Sequence, residues 1–171
     1  MIKLMGLLGL VVSFGLAGMG MAEELRERIR LLEEIQNLIA ELKARMNYFR
    51  DPMFTIFQSI EKKGNSKAFL LPGRVLLDFN EKGGEIAVLW AEKAKELYKD
   101  TPLTAEDLAV LCYVGTYLGQ SDYENQEMQF QCTEERLTCQ LNQARASFSQ
   151  KGSLYRRVGF FAGALAAIVL L

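Results

Sequence analysis

Two apolar runs bracket a long, mostly polar middle. Residues 4–22 carry no charge over 19 positions, and residues 158–171 carry none over 14. As a helix the first run measures about 28 Å, close to the ~30 Å hydrocarbon core of a bilayer. The second reaches about 21 Å alone. It reaches about 27 Å from Leu154 if Arg156 and Arg157 snorkel back to the headgroups. Tyr155 would then lie at the interface, where an aromatic ring with a polar tip is favoured. Arginines stand at the inner edge of each run, Arg26, Arg28 and Arg30 after the first and Arg156 and Arg157 before the second, while only Lys3 precedes the first. Basic residues near membrane ends stay on the cytoplasmic side. The pattern therefore predicts an N-terminal transmembrane helix (1–22), a cytoplasmic body (23–153) and a C-terminal transmembrane helix (154–171).

The middle has helical periodicity. Leu25, Ile29, Leu32, Gln36, Ile39, Leu42, Met46 and Phe49 alternate in steps of four and three, a heptad-like stripe predicting a helix over 23–49. No breaker separates it from the first apolar run. The stripe suits either a coiled-coil dimer, and so a homo-oligomer, or coverage by later helices of the same chain. Asp51-Pro52 ends the stripe. Pro52 then opens a short helix with Met53, Ile56, Phe57 and Ile60 on its apolar face. Residues 62–66 read as a turn. Residues 68–79 are apolar but interrupted by Pro72-Gly73, and Lys82-Gly83-Gly84 is a loop.

Residues 85–98 form an amphipathic helix with Ile86, Leu89, Trp90, Ala94 and Leu97 on one side. Trp90, the only tryptophan, reads as a core anchor. Thr104 caps the next helix, with Glu106 and Asp107 in its first turn and Leu108, Leu111, Cys112, Gly115 and Leu118 along it. Gly119 suits a helix end, and Ser121 with Glu124 forms a capping box opening a last helix over 122–150. Phe130, Leu137, Leu141, Ala144 and Phe148 mark its buried stripe. No segment alternates with period two between turns. The fold class is all-α: a cytoplasmic bundle of about six helices flanked by the two membrane helices.

Composition narrows the chemistry. Twenty basic against 21 acidic residues give a net charge of −1, so no electrostatic case exists for nucleic acid. The chain has no histidine, which removes the commonest general base and metal ligand. Cys112, Cys132 and Cys139 lack zinc-site spacing and are expected as small buried hydrophobes in a reducing cytoplasm. Acidic pairs such as Glu33/Glu34 and Glu134/Glu135 fall on solvated faces. No catalytic residue, cofactor, metal or small-molecule substrate is assigned. Small residues recur every fourth position in both apolar runs, Gly9, Ser13 and Ala17 in the first and Gly159, Gly163 and Ala167 in the second. Such rows let membrane helices pack closely on each other or on a partner.

Three segments carry a resemblance: Lys3-Leu4-x-Gly6, Leu118-Gly119-Gln120-Ser121-Asp122 followed by Gln126, and Tyr155-Arg156-Arg157-Val158-Gly159 before the apolar tail. Together with length, anchor placement and helix order, they resemble the stage III sporulation protein AB family. The chain departs from the family at Tyr48-Phe49-Arg50-Asp51-Pro52-Met53, where Phe49 replaces a usual glycine. The resemblance implies a non-catalytic membrane platform in the secretion-like complex between mother cell and forespore. It implies a soluble part similar to the helical domain of the type II secretion system F protein, and it implies docking of the sporulation protein AA ATPase. The location implied is the mother-cell membrane facing the forespore, with the soluble domain in the cytoplasm. Gly119, Ser121, Asp122 and Gln126, at the junction of two long helices, are the candidate partner-binding residues.

The competing reading is a secreted, C-terminally tethered helical adaptor or chaperone. Lys3 would be a minimal basic start and Gly20-Met21-Ala22 a small-x-small cleavage site. The mass of the N-terminus of membrane-extracted protein separates the two. The platform reading expects residues 1–22 to be retained, and a chain beginning at Glu23 overturns it.

Overall fold

The computed structural model describes the backbone of residues 2–46, 52–64, 66–118 and 123–169, and the side chains of residues 19–46, 52–64, 66–118, 124–151 and 158. Among the described residues there are six α-helices and no strand: α1 (Ile2–Ala44), α2 (Met53–Lys63), α3 (Leu70–Lys82), α4 (Ile86–Leu97), α5 (Ala105–Tyr117) and α6 (Tyr123–Val169). The apolar runs are not separate helices. The first belongs to α1 and nearly all of the second to α6, as the lack of a breaker between 22 and 44 suggested. Among the described residues no helix is long and apolar enough to cross a membrane. The side chains of both apolar runs lie almost wholly outside that set.

The chain divides into two compact units, Arg30–Leu141 and the pairing of Met1–Ile29 with Asn142–Leu171. Among the described residues, the Arg30–Leu141 unit holds most of the buried side chains. From α1 it buries Leu31, Leu32, Ile35, Leu38, Ile39 and Leu42, and just past the helix Met46. That face is wider than the heptad stripe and is the broad apolar band of a helix covered by several neighbours of its own chain. Gln36, on the stripe, donates through Nε2 to Thr138 Oγ1 of α6 at 3.2 Å. Lys43 bonds Glu134 of α6 at 2.7 Å. Residue numbers rise along α1 as they fall along α6, so the two helices are antiparallel here. Phe49 lies outside the described residues.

Pro52 stands one position before α2, and its carbonyl accepts from the N–H groups of Thr55 and Ile56. Ile56, Phe57 and Ile60 are buried, as the spacing predicts. Glu41 ties α1 to α2 by accepting from Lys63 at 3.0 Å, and it also accepts from Arg45 at 2.8 Å. Burial alone would raise the Glu41 pKa, but these two hydrogen bonds outweigh it and hold the carboxyl below its ordinary range.

The Pro72-Gly73 interruption proves to be no interruption. Pro72 is the third residue of α3, within the first turn, where an N–H has no intrahelical partner to lose. A tight lead-in, with Phe69, Leu70 and Leu71 donating to Ser66, Lys67 and Ala68, delivers the chain into that turn. The Lys82–Gly84 loop is as expected. Gly83 (φ 66°) and Gly84 (φ 114°) occupy conformations that side chains resist, and the Gly83 N–H caps Phe79. Asp78 then links α3 to α4 by accepting from Lys93 at 3.1 Å, and Lys82 donates to the same carboxylate oxygen at 3.2 Å.

The tightest joint is between α4 and α5. Trp90 is fully buried, its Nε1–H donates to the Leu111 carbonyl at 2.8 Å, and its ring meets Phe57 of α2 at 5.9 Å between centroids. A Cβ placed on Gly115 would stand 2.8–3.0 Å from the Cβ, Cγ and Cδ1 of Trp90. Glycine is thus the residue that lets this crossing close. The start of α5 matches the predicted cap and completes it. Thr104 Oγ1 accepts from the Asp107 N–H at 3.2 Å, and the buried Asp107 carboxylate accepts from the Thr104 N–H at 2.8 Å.

Gly115→Val should force the α4–α5 joint apart. Overpacking of this kind costs about 1–3 kcal/mol, more than the ~1 kcal/mol of helix propensity gained on replacing glycine. The urea midpoint should fall relative to wild type, and an unchanged or raised midpoint would refute the close-approach role.

Candidate interaction surface

The partner-binding residues expected from sequence cluster at the α5–α6 junction. Gly119, Ser121 and Asp122 lie outside the described residues. Gln126 is described and is only 2% exposed. Its Nε2 donates to the carbonyl of Tyr117 at 2.9 Å. Tyr117 ends α5, where carbonyls have no intrahelical donor, so Gln126 closes the end of one helix from the first turn of the next.

Around it runs a polar and aromatic seam. Thr133, also buried, donates its hydroxyl proton to the Gln129 carbonyl at 2.8 Å. Having no second proton, it must accept from Tyr117 O–H, 3.0 Å away. The Tyr117 ring meets Phe130 edge-on at 5.0 Å. Burial pushes the Tyr117 hydroxyl well above its ordinary pKa, with the Thr133 bond only partly opposing, so it remains a donor across the physiological range. Tyr113 O–H donates to Gln129 Oε1 at 2.5 Å, and the Arg136 guanidinium sits 5.7 Å from the Tyr113 ring centroid. These bonds are internal and hold the start of α6 on α5.

The small-residue rows fall in helices whose side-chain packing is not described: Gly9, Ser13 and Ala17 in α1, and Gly159, Gly163 and Ala167 in α6. The cysteines differ from expectation. Cys112 is half-buried, its Sγ 3.8 Å from the Ala91 carbonyl, and burial pushes its thiol pKa up, partly opposed by Lys95. Cys132 and Cys139 are exposed rather than buried. They lie two residues after Phe130 and Leu137, and two residues turn a helix by about 200°, onto the opposite face. Among the described residues no group of three or more His, Cys, Asp or Glu could hold a metal ion.

Sequence reading also missed an apolar exterior on α2, α3 and α4. Phe54 is 43% exposed, Leu77 59% and Val88 51%. Phe54 stacks on Phe79 at 5.3 Å, and the two overhang a shallow crevice floored by Phe57, Val75 and Leu76. The available signal was that Leu77 and Val88 fall off the apolar stripes of their own helices. In the unit formed by Met1–Ile29 and Asn142–Leu171, Met19, Ala22, Glu23, Arg26 and Phe148 line a groove of about 240 Å³.

The family profile described as stage III sporulation protein AB matches residues 3–171, both apolar runs included. The chain belongs to the stage III sporulation protein AB family. A relative named Stage III sporulation protein AB, from Bacillus subtilis (strain 168), is 25% identical over 172 residues, covering 100% of each chain. A solved structure titled stage III sporulation protein AB (SpoIIIAB) superimposes with a TM-score of 0.64 at 20% identity, covering 72% of this chain and 97% of the other. That structural likeness shows the shared helical fold.

Gln126→Ala would leave the Tyr117 carbonyl buried without its donor, at a cost of about 1–3 kcal/mol. The expected outcome is a lower urea midpoint with unchanged far-ultraviolet circular dichroism. A midpoint equal to wild type would mean that the α5 terminus does not depend on this bond.

Proposed function

We propose that this chain is a non-catalytic membrane platform component of a sporulation-specific, secretion-like complex between mother cell and forespore, and that its cytoplasmic bundle docks the sporulation protein AA ATPase. Membership of the stage III sporulation protein AB family fits a role in sporulation. The observation that carries the finer reading is the extent of the family match. It covers residues 3–171, a span that includes both apolar runs and their inner arginines. Those arginines support a body on the cytoplasmic side of the membrane.

Two features support docking. Phe54, Leu77 and Val88 present apolar side chains on three consecutive helices, of which α3 and α4 are joined by the Asp78–Lys93 ion pair. Exposed apolar side chains on a fixed scaffold are what a protein partner covers. The 119–126 segment offers polar groups nearby in sequence, with Gln126 occupied internally. A chemical role for the chain finds little support, since it has no histidine and the named relatives are sporulation proteins without a stated activity.

A tagged chain recovered from sporulating cells should bring the ATPase with it. Leu77→Glu, at a 59% exposed position, should cut recovery by about tenfold while thermal unfolding is unchanged, as expected for an interface anchor worth more than ~1 kcal/mol. Recovery of the wild-type chain without ATPase would overturn the docking reading. Undiminished recovery with Leu77→Glu would remove this face from it.

A further inference from the structure

The groove lined by Met19, Ala22, Glu23, Arg26 and Phe148 is not accounted for by ATPase docking. It lies where the uncharged run ends: Ala22 is the last residue of that run and Glu23 the first charge after it. Its composition is divided. Met19, Ala22 and Phe148 supply an apolar wall, with Ala22 buried. Glu23 and Arg26, one helical turn apart, supply one negative and one positive group. Their closest approach is 3.9 Å, beyond hydrogen-bonding distance, and their side chains are 70% and 71% exposed. Neither group saturates the other, so the guanidinium keeps N–H donors and the carboxylate keeps lone pairs to offer.

We infer that this groove seats a glycerolipid carrying a phosphoethanolamine headgroup. Such a headgroup holds one phosphate and one primary ammonium, joined by only two carbons. The phosphate suits Arg26, whose planar fork of donors matches phosphate oxygens. The ammonium has three N–H donors for Glu23. The first methylenes of the acyl chains cover Met19 and Phe148. A volume of about 240 Å³ takes the head and upper chain of one lipid rather than the whole molecule. The charge pair also selects among lipids. A phosphoglycerol headgroup brings an anion without a cation, so Glu23 opposes it. A phosphocholine headgroup brings a cation with no N–H to give. The inference rests on the membrane reading above, because only an anchored chain meets a lipid at this level.

Two measurements on the full-length chain separate the inference from that reading. The first is flotation with vesicles of phosphatidylethanolamine mixed with phosphatidylcholine, and of phosphatidylglycerol mixed with phosphatidylcholine. The anchored chain floats with both, and failure to float with either overturns the membrane reading and the lipid site together. The second is native mass spectrometry of detergent-solubilised protein titrated with each of the three lipids. Wild type should retain phosphatidylethanolamine over phosphatidylglycerol by about fivefold, the scale of one exposed charge contact. Glu23→Gln should erase that preference, and Arg26→Gln should weaken retention of all three lipids. Both positions are exposed, so folding is preserved, and an unchanged melting temperature checks it. Equal retention by wild type, or a preference that survives Glu23→Gln, overturns the headgroup assignment and leaves the anchors standing.

Discussion

The place where α4 meets α5 constrains several helices of the Arg30–Leu141 unit at once. Trp90 fills it, Gly115 makes room for it, and the Leu111 carbonyl fixes the indole by a hydrogen bond. The constraint is steric before it is energetic. Trp90 approaches α5 so closely at Gly115 that even a Cβ there would collide with it. Because the same ring also meets Phe57, the joint reaches α2. Because α5 ends in the Tyr117 seam, it reaches α6 as well. A hydrophobic core assembled from aliphatic stripes would tolerate some sliding of its helices. A core pinned by one directed N–H and one glycine does not.

Much of this was legible in the sequence, and the failures have identifiable causes. The stripes of α1, α2, α4 and α6 were readable because each helix is covered on one side, which leaves a clean period. The Thr104 cap was readable because its chemistry is local. Pro72 was misjudged because proline breaks a helix interior but not a first turn, and only the turn at 66–69 reveals which of the two applies. Gln36, counted with the stripe of α1, is a cross-helix donor to Thr138, a partner 102 residues away that no local pattern could supply. Gln126 was read as a partner-binding candidate, because sequence could not separate a surface amide from one turned inward to close α5.

The external features divide by chemistry. The exposed side chains Phe54, Leu77 and Val88 are apolar and sit on helices that are tied to their neighbours, with Asp78 joining α3 to α4 and Glu41 joining α1 to α2. The Met19–Phe148 groove carries an opposed pair of charges beside apolar atoms. A protein surface and an interfacial lipid ask for different things, a broad dry contact in one case and a charged rim over hydrocarbon in the other. One chain offers both kinds of surface.

The outward placement of Cys132 and Cys139 gives α6 a pair of chemical handles. They stand seven residues apart on one solvent-facing side, about 10 Å along the axis. Two equivalent thiols at that spacing accept a single bifunctional tag at both ends, which fixes the tag parallel to the helix instead of letting it swivel. The polarisation of light from such a tag would report the tilt of α6 itself, without any engineered residue.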